Sequence, residues 1–121
     1  MSLNVVDSSA WLEYLADTAH AMNFAAAIED TDNLIVPAIV LYEVCKKVRR
    51  ERGEDAALKV AAMLESGRFI EVDANLALEA SRLDLPLADS LIYATARRMG
   101  ATVWTQDDDF KGLDDIRYFA K

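Results

Sequence analysis

Apolar residues along the chain fall into short β-branched runs that alternate with longer stripes of helical spacing. LNVV (residues 3–6) is a strand, and it stops at Asp7-Ser8-Ser9, which turn a chain and cap a helix. AWLEYLA then repeats apolar residues with helical period, with Trp11, Leu12 and Leu15 on one face. A second helix is expected over about 19–29, followed by the polar loop Asp30-Thr31-Asp32-Asn33. LIV (34–36) is the second strand, with Pro37 placed as the first residue of the helix that runs to Gly53. A further helix covers 54–65 and ends at Ser66-Gly67. RFIEV (68–72) alternates as a third strand, and residues 74–83 are helical. Pro86 interrupts that pattern, a new helix spans 87–100 to Gly100, TVWT (102–105) is the fourth strand and IRYF (116–119) a short fifth. Strands alternating with helices of this length imply βαβ units, a parallel sheet, and helices on both faces.

Composition narrows the class. The chain of 121 residues is the size of one domain, here 1–121, and 53% hydrophobic residues with only four Gly and two Pro describe a globular core. No apolar run approaches the roughly 18 residues of a membrane helix, and Asp7 interrupts the N-terminal apolar run too early for a signal peptide. The one cysteine, Cys45, has no internal disulfide partner, so a cytoplasmic location is expected, with Cys45 itself as a packing residue. His20 is expected at the surface.

Charge changes the picture more. Thirteen basic and 21 acidic residues give a net charge of −8, against broad nucleic-acid binding and in favour of a cationic ligand. One positive strip survives at KKVRRER (46–52). In an open parallel sheet, ligands sit beyond the carboxyl ends of the strands. Asp7 directly follows the first strand there, and Asp107 follows the fourth after Thr105-Gln106. Glu43 has Ile39 and Val40 one turn before it, and Asp89 has Ile92, Tyr93 and Ala96 after it, so both acids border apolar stripes. An acid there is costly unless paired, protonated or bound to a cation.

Taken singly, each acid has a structural explanation: Asp7 as a helix cap, Asp89 as a partner of a helix macrodipole, Glu43 as a surface charge beside Lys46 and Lys47. Taken together, they point to one oxygen-only site with the hydroxyls of Ser8, Ser9 and Thr105 nearby. Such donors suit Mg²⁺ or Mn²⁺ and not zinc. Within the run Asp107-Asp108-Asp109, Asp107 is the expected ligand and Asp109 the reserve; Asp108 faces solvent or caps the turn that Phe110 anchors.

The segments VVDSSAWLEYL (5–15), VPAIVLYEV (36–44), LPLADSLIYATA (85–96) and VWTQDDDF (103–110), in this order, resemble PIN-domain ribonucleases, and within them the VapC toxins of toxin–antitoxin pairs. The resemblance implies a three-layer α/β/α domain with a central, mostly parallel sheet of four or five strands. It places Asp7, Glu43, Asp89 and Asp107 at the family's acidic positions and Ser9 and Thr105 at its supporting hydroxyls, with Asp109 as a further acid. It implies Mg²⁺- or Mn²⁺-dependent cleavage of RNA by an activated water, leaving 5′-phosphate and 3′-hydroxyl ends. Asp7 and Asp89 would hold the principal ion, Asp107 would complete or bridge a second, and Glu43 would bind through water or orient the nucleophile. Lys46, Lys47, Arg49 and Arg50 are the candidates for RNA contact, and Trp11 and Tyr14 are secondary candidates for stacking. The implied partners are a VapB-type antitoxin with a basic tail and a second copy of the chain, as a homodimer or a toxin–antitoxin hetero-oligomer. The run from LEASRL into DLPLAD is shorter than the family pattern and predicts a short helix or a tight turn before Asp89.

Two other classes fit an acidic pocket on an α/β fold. A receiver-like Mg²⁺-binding phosphoacceptor would need adjacent acids after strand one, where Ser8-Ser9 stand instead. A non-catalytic module could use the acids only to dock a basic partner.

Overall fold

The computed structural model describes residues 2–121; Met1 of the expected 1–121 domain lies outside the described residues. Five strands alternate with six helices among those residues: β1 (Leu3–Val6), α1 (Ser8–Ala16), α2 (Met22–Glu29), β2 (Leu34–Pro37), α3 (Ala38–Arg52), α4 (Glu54–Leu64), β3 (Arg68–Ile70), α5 (Ala74–Ser81), α6 (Leu87–Met99), β4 (Ala101–Thr105) and β5 (Ile116–Tyr118). All pairings are parallel, in the order β3-β2-β1-β4-β5. This is the expected α/β/α architecture. A receiver-like domain instead has the order 2-1-3-4-5, so the topology removes that alternative.

The strands in the middle of the sheet read as continuous apolar runs because helices cover both faces. Val5, Val6, Leu34, Ile35, Val36 and Val103 are all fully buried. On the face carrying Trp104 and Phe119, α2 inserts Phe24, whose ring meets Phe119 edge to face at 5.3 Å. α6 packs across β1, β2 and β4, and its residues Ile92–Ala96 are all buried. A small satellite core of Leu76, Ala80 and Ala94 holds α5 against α6.

Three boundaries differ from expectation. Pro37 is the last residue of β2 and the N-cap of α3, with an extended backbone (φ −66°, ψ 142°), and not its first helical residue. α2 starts at Met22, because Thr18 accepts from the His20 N–H and carries residues 19–21 through a turn. β3 stops at Ile70, two residues early. The helix before Asp89 is short, as expected: α5 has eight residues, and a tight turn follows in which Arg82 and Leu83 N–H donate to Glu79 and Ala80.

Gly67 begins the step into β3 at close quarters. A Cβ there would stand 2.9 Å from the Leu34 carbonyl oxygen and 3.1 Å from Val36 Cγ2. Since the obstacle is backbone of a central strand, Gly67→Ala should cost about 1–3 kcal/mol in urea denaturation. A loss under about 0.5 kcal/mol would show that β3 shifts freely.

Candidate metal centre

Strand order reverses between β2-β1 and β4-β5, so the crevice beyond the carboxyl ends of β1 and β4 is the switch point where this architecture places ligands. Asp7 and Asp107 flank it. The Asp7 N–H extends the ladder by donating to Trp104 O at 3.2 Å, which sets Asp7 beside Thr105.

Asp7 is both the N-cap of α1 and a wall of the pocket. Its Oδ1 accepts from Ala10 N–H (2.9 Å) and Ser9 Oγ (3.1 Å), and its Oδ2 accepts from Thr105 Oγ1 (2.5 Å). Asp7 is only 2% exposed, and burial pushes its carboxyl up to about 6 against the lowering effect of these donors, with repulsion from Asp107 adding to the rise. Thr105, fully buried, also accepts from the Asp107 N–H at 2.9 Å, so one hydroxyl joins the ends of β1 and β4.

Asp107 caps the one-turn 3-10 helix Asp108–Phe110 by accepting from Asp109 N–H at 2.9 Å. This turn brings Asp109 back toward α6. One carboxylate oxygen from each of Asp89, Asp107 and Asp109 lies within 4.8 Å of the other two. Asp108 points away, exposed, and accepts from the Tyr118 hydroxyl. Asp89 lies in the first turn of α6. Burial, then the charges of Asp107 and Asp109, push it up to about 8. Without a cation, burial and the neighbouring carboxylates favour the protonated form of Asp89.

Glu43 stands across the pocket on α3, half-buried, and accepts from Ser8 Oγ at 2.6 Å. Asp7, Glu43, Asp89 and Asp107 thus line one cavity of about 460 Å³, together with Lys46, Lys47 and Arg50. Arg49 does not join them: it turns outward and pairs with Glu54 at 2.5 Å, because the α3–α4 corner at Gly53 brings Glu54 alongside. Trp11 is buried in the core and Tyr14 donates to Glu29, so neither reaches the pocket. Cys45 is buried and His20 lies outside the site.

The donor set tests well for a hard divalent cation. It is oxygen only, and among the described residues no Lys or Arg is ion-paired with Asp7, Asp89, Asp107 or Asp109. Ser8 is among the hydroxyls expected near the site, but its bond to Glu43, across 35 positions, is a contact no local pattern shows. Sequence reasoning missed one lining residue of interest. Tyr42 lines the pocket next to Glu43, and its helical spacing of four to Lys46 and eight to Arg50 was a usable signal.

An all-parallel α/β/α sheet with clustered carboxylates at its switch point defines a class of acidic-pocket domains. The chain belongs to the PIN-domain family, whose pattern matches residues 5–116. No curated protein sequence matches the chain. Solved structures do. A toxin–antitoxin complex from Klebsiella pneumoniae aligns with a TM-score of 0.80 at 16% identity, over 98% of this chain and 99% of that one. Mycobacterium tuberculosis VapC20, a Sarcin-Ricin loop cleaving toxin, aligns at 0.73 with 23% identity, over 93% and 95%. VapBC2 from Rickettsia felis, bound to a DNA fragment from its promoter, aligns at 0.71 with 16% identity, over 98% of each. At such identities the likeness is one of fold. Among the described residues no helix is long and apolar enough to cross a membrane.

Proposed function

We propose that this PIN domain is a Mg²⁺- or Mn²⁺-dependent endoribonuclease that acts as the toxin of a toxin–antitoxin pair in the cytoplasm. The observation that carries the reading is the convergence of Asp89, Asp107 and Asp109 on one point, with buried Asp7 behind them. The fold neighbours support the biological setting: one is a toxin that cleaves the sarcin-ricin loop, and others are complexes of toxin with antitoxin.

Asp89, Asp107 and Asp109 would hold the cation, and Asp7 would reach it directly or through water. Once bound, a divalent ion lowers the pKa of a coordinated water and neutralises charge building at phosphorus. Asp7, held by the three donors Ser9 Oγ, Ala10 N–H and Thr105 Oγ1, fixes the end of β1 relative to β4. Glu43, whose Oε1 accepts from Ser8 Oγ across the pocket, would hold the cation through water or orient the nucleophilic water. Lys46, Lys47 and Arg50 face the phosphate backbone from α3. The 2′-hydroxyl takes no part in this chemistry, so the products carry 5′-phosphate and 3′-hydroxyl ends. An antitoxin of VapB type, with a basic tail, neutralises the toxin by filling the acidic pocket; the assembly is a homodimer or a toxin–antitoxin hetero-oligomer.

The test is incubation of the purified chain with tRNA, rRNA and mRNA pools in Mg²⁺ or Mn²⁺, with end-group analysis. Cleavage to ligatable 5′-phosphate ends is expected, lost with chelator and in Asp107→Ala. Absence of cleavage in every pool, with no change in melting on Mg²⁺ addition, would sink this reading in favour of a non-catalytic docking module.

A further inference from the structure

The pocket has two walls of opposite character. Asp7, Asp89 and Asp107 form one, and α3, which carries Tyr42, Lys46 and Arg50 beside the single acid Glu43, forms the other. These three recur every fourth residue, so they stack along one side of the helix at about 6 Å per step. Tyr42 is 57% exposed, and of the large exposed apolar side chains among the described residues it alone lines this pocket.

Two of the cations beside it are free of ion pairs. Lys47 pairs with Glu51 at 3.5 Å and Arg49 with Glu54, whereas Lys46 and Arg50 enter no ion pair among the described residues. Lys46 leans on the tyrosine: its ammonium donates to the Tyr42 hydroxyl at 3.1 Å and lies 5.3 Å from the ring centroid. The ring is therefore tethered at its hydroxyl while the residue stays mostly exposed. An exposed aromatic face next to two free cations is the combination that takes a base and its flanking phosphates.

We propose that Tyr42 is the stacking platform for an unpaired base beside the scissile phosphate, with Lys46 and Arg50 following the backbone. The proposal rests on the ribonuclease reading above and assigns it a substrate-positioning residue. A duplex keeps its bases stacked on one another and offers no free face to this ring, whereas a loop or single strand does. A basic peptide fits the opposite wall, because Lys46 and Arg50 repel it.

The experiment uses a labelled single-stranded RNA 20-mer carrying 2-aminopurine at successive positions, and the same strand annealed to its complement, in Mg²⁺. Wild type should cut the single strand in preference to the duplex and quench 2-aminopurine at a position next to the cut. Tyr42→Ala should raise KM about five- to tenfold with kcat little changed, and abolish the quench; Tyr42→Trp should restore both. Circular dichroism of each variant confirms that it is folded. If wild type cuts but Tyr42→Ala matches it in KM and quench, the platform is refuted while the ribonuclease reading stands. Equal cleavage of duplex and single strand also refutes it. So does an unchanged KM with weakened binding of a nona-arginine peptide, which would assign the ring to a protein partner. If wild type cuts no RNA, the ribonuclease reading fails and takes this proposal with it.

Discussion

Replacing Asp89 with Asn is expected to raise the melting temperature of the cation-free protein, flatten its pH dependence above about pH 6, and remove most of its response to Mg²⁺. The folded state holds the Asp89 proton far more tightly than the unfolded chain does, about 8 against an ordinary 3.8. A carboxyl raised in this way contributes stability that is complete below about pH 4 and is lost as pH rises through 8. Asp7, raised to about 6, acts in the same direction over the lower part of that window. The wild type without cation should therefore melt at progressively lower temperature from pH 4 to 8. Asp89→Asn keeps only the Asp7 share, so its decline should end near pH 6. The groups facing Asp89 are Asp7, Asp107 and Asp109, with Glu43, Lys46 and Lys47 across the pocket, and the amide removes one charge from the crowded side.

Mg²⁺ reverses the order of the two proteins. In the wild type the ion displaces the Asp89 proton and offsets the repulsion, so its stabilisation should grow with pH. In Asp89→Asn the affinity for Mg²⁺ should fall by roughly tenfold or more, since losing even an outer-shell contact commonly costs that much. Differential scanning fluorimetry from pH 4 to 9, with and without 5 mM-scale Mg²⁺ (about the level that saturates a weak oxygen site), reads both effects. A wild-type melting temperature that is flat across the range would show that Asp89 is not strained by its neighbours, and an unchanged Mg²⁺ response in the variant would remove it from the site.

How much of this arrangement was legible depends on the kind of pattern each feature leaves. The strand–helix alternation was legible because parallel strands buried on both faces must be short apolar runs, such as LNVV and LIV, and Gly53, Pro86 and Gly100 mark the breaks. Which acids lie near the switch point was legible too, because Asp7 and Asp107 immediately follow strands whose carboxyl ends the topology brings together. What each acid does within the pocket was less so. The resemblance groups Asp7 with Asp89 around one ion; the structure adds that Asp7 accepts from Ser9, Ala10 and Thr105, and that oxygens of Asp89, Asp107 and Asp109 lie within 4.8 Å of one another. That grouping arises from the 3-10 turn after Asp107, which folds Asp109 back, and one turn of irregular chain has no periodicity to read. The basic strip divided for a similar reason. Its positive charge is plain in KKVRRER, but Arg49 and Arg50 are neighbours about 100° apart on the helix, and only the corner at Gly53 decides that Arg49 meets Glu54.

Phe110→Ala should be among the most destabilising single substitutions in this chain, at about 3–5 kcal/mol, and should weaken the acidic site with no acid altered. Phe110 is fully buried directly after the three aspartates, with its ring 6.4 Å from that of Tyr93 on α6. Its N–H donates to Asp107 O at 3.2 Å and its carbonyl accepts from Leu113 N–H at 3.1 Å, so the side chain pins both ends of the acidic turn. Tyr93 in turn donates its hydroxyl to Asp114 O at 2.9 Å, which ties the following loop to the same helix that carries Asp89. Removing the ring leaves a cavity between α6 and the turn, and nothing else apolar in Asp107–Asp109 can fill it. The repulsion among Asp89, Asp107 and Asp109 then acts on a turn with no anchor, so the acids spread and the Mg²⁺ affinity falls. Urea denaturation gives the stability, and Mg²⁺ titration by calorimetry well below the melting temperature gives the affinity of the folded variant. Phe110→Leu, which keeps most of the volume, should lose about 1–1.5 kcal/mol and retain most of the affinity. A loss below about 1 kcal/mol for Phe110→Ala, or an unchanged Mg²⁺ affinity, would mean that the Asp107 N–H bond to Thr105 Oγ1 and the Asp109 N–H bond to Asp107 hold the acidic turn without the ring.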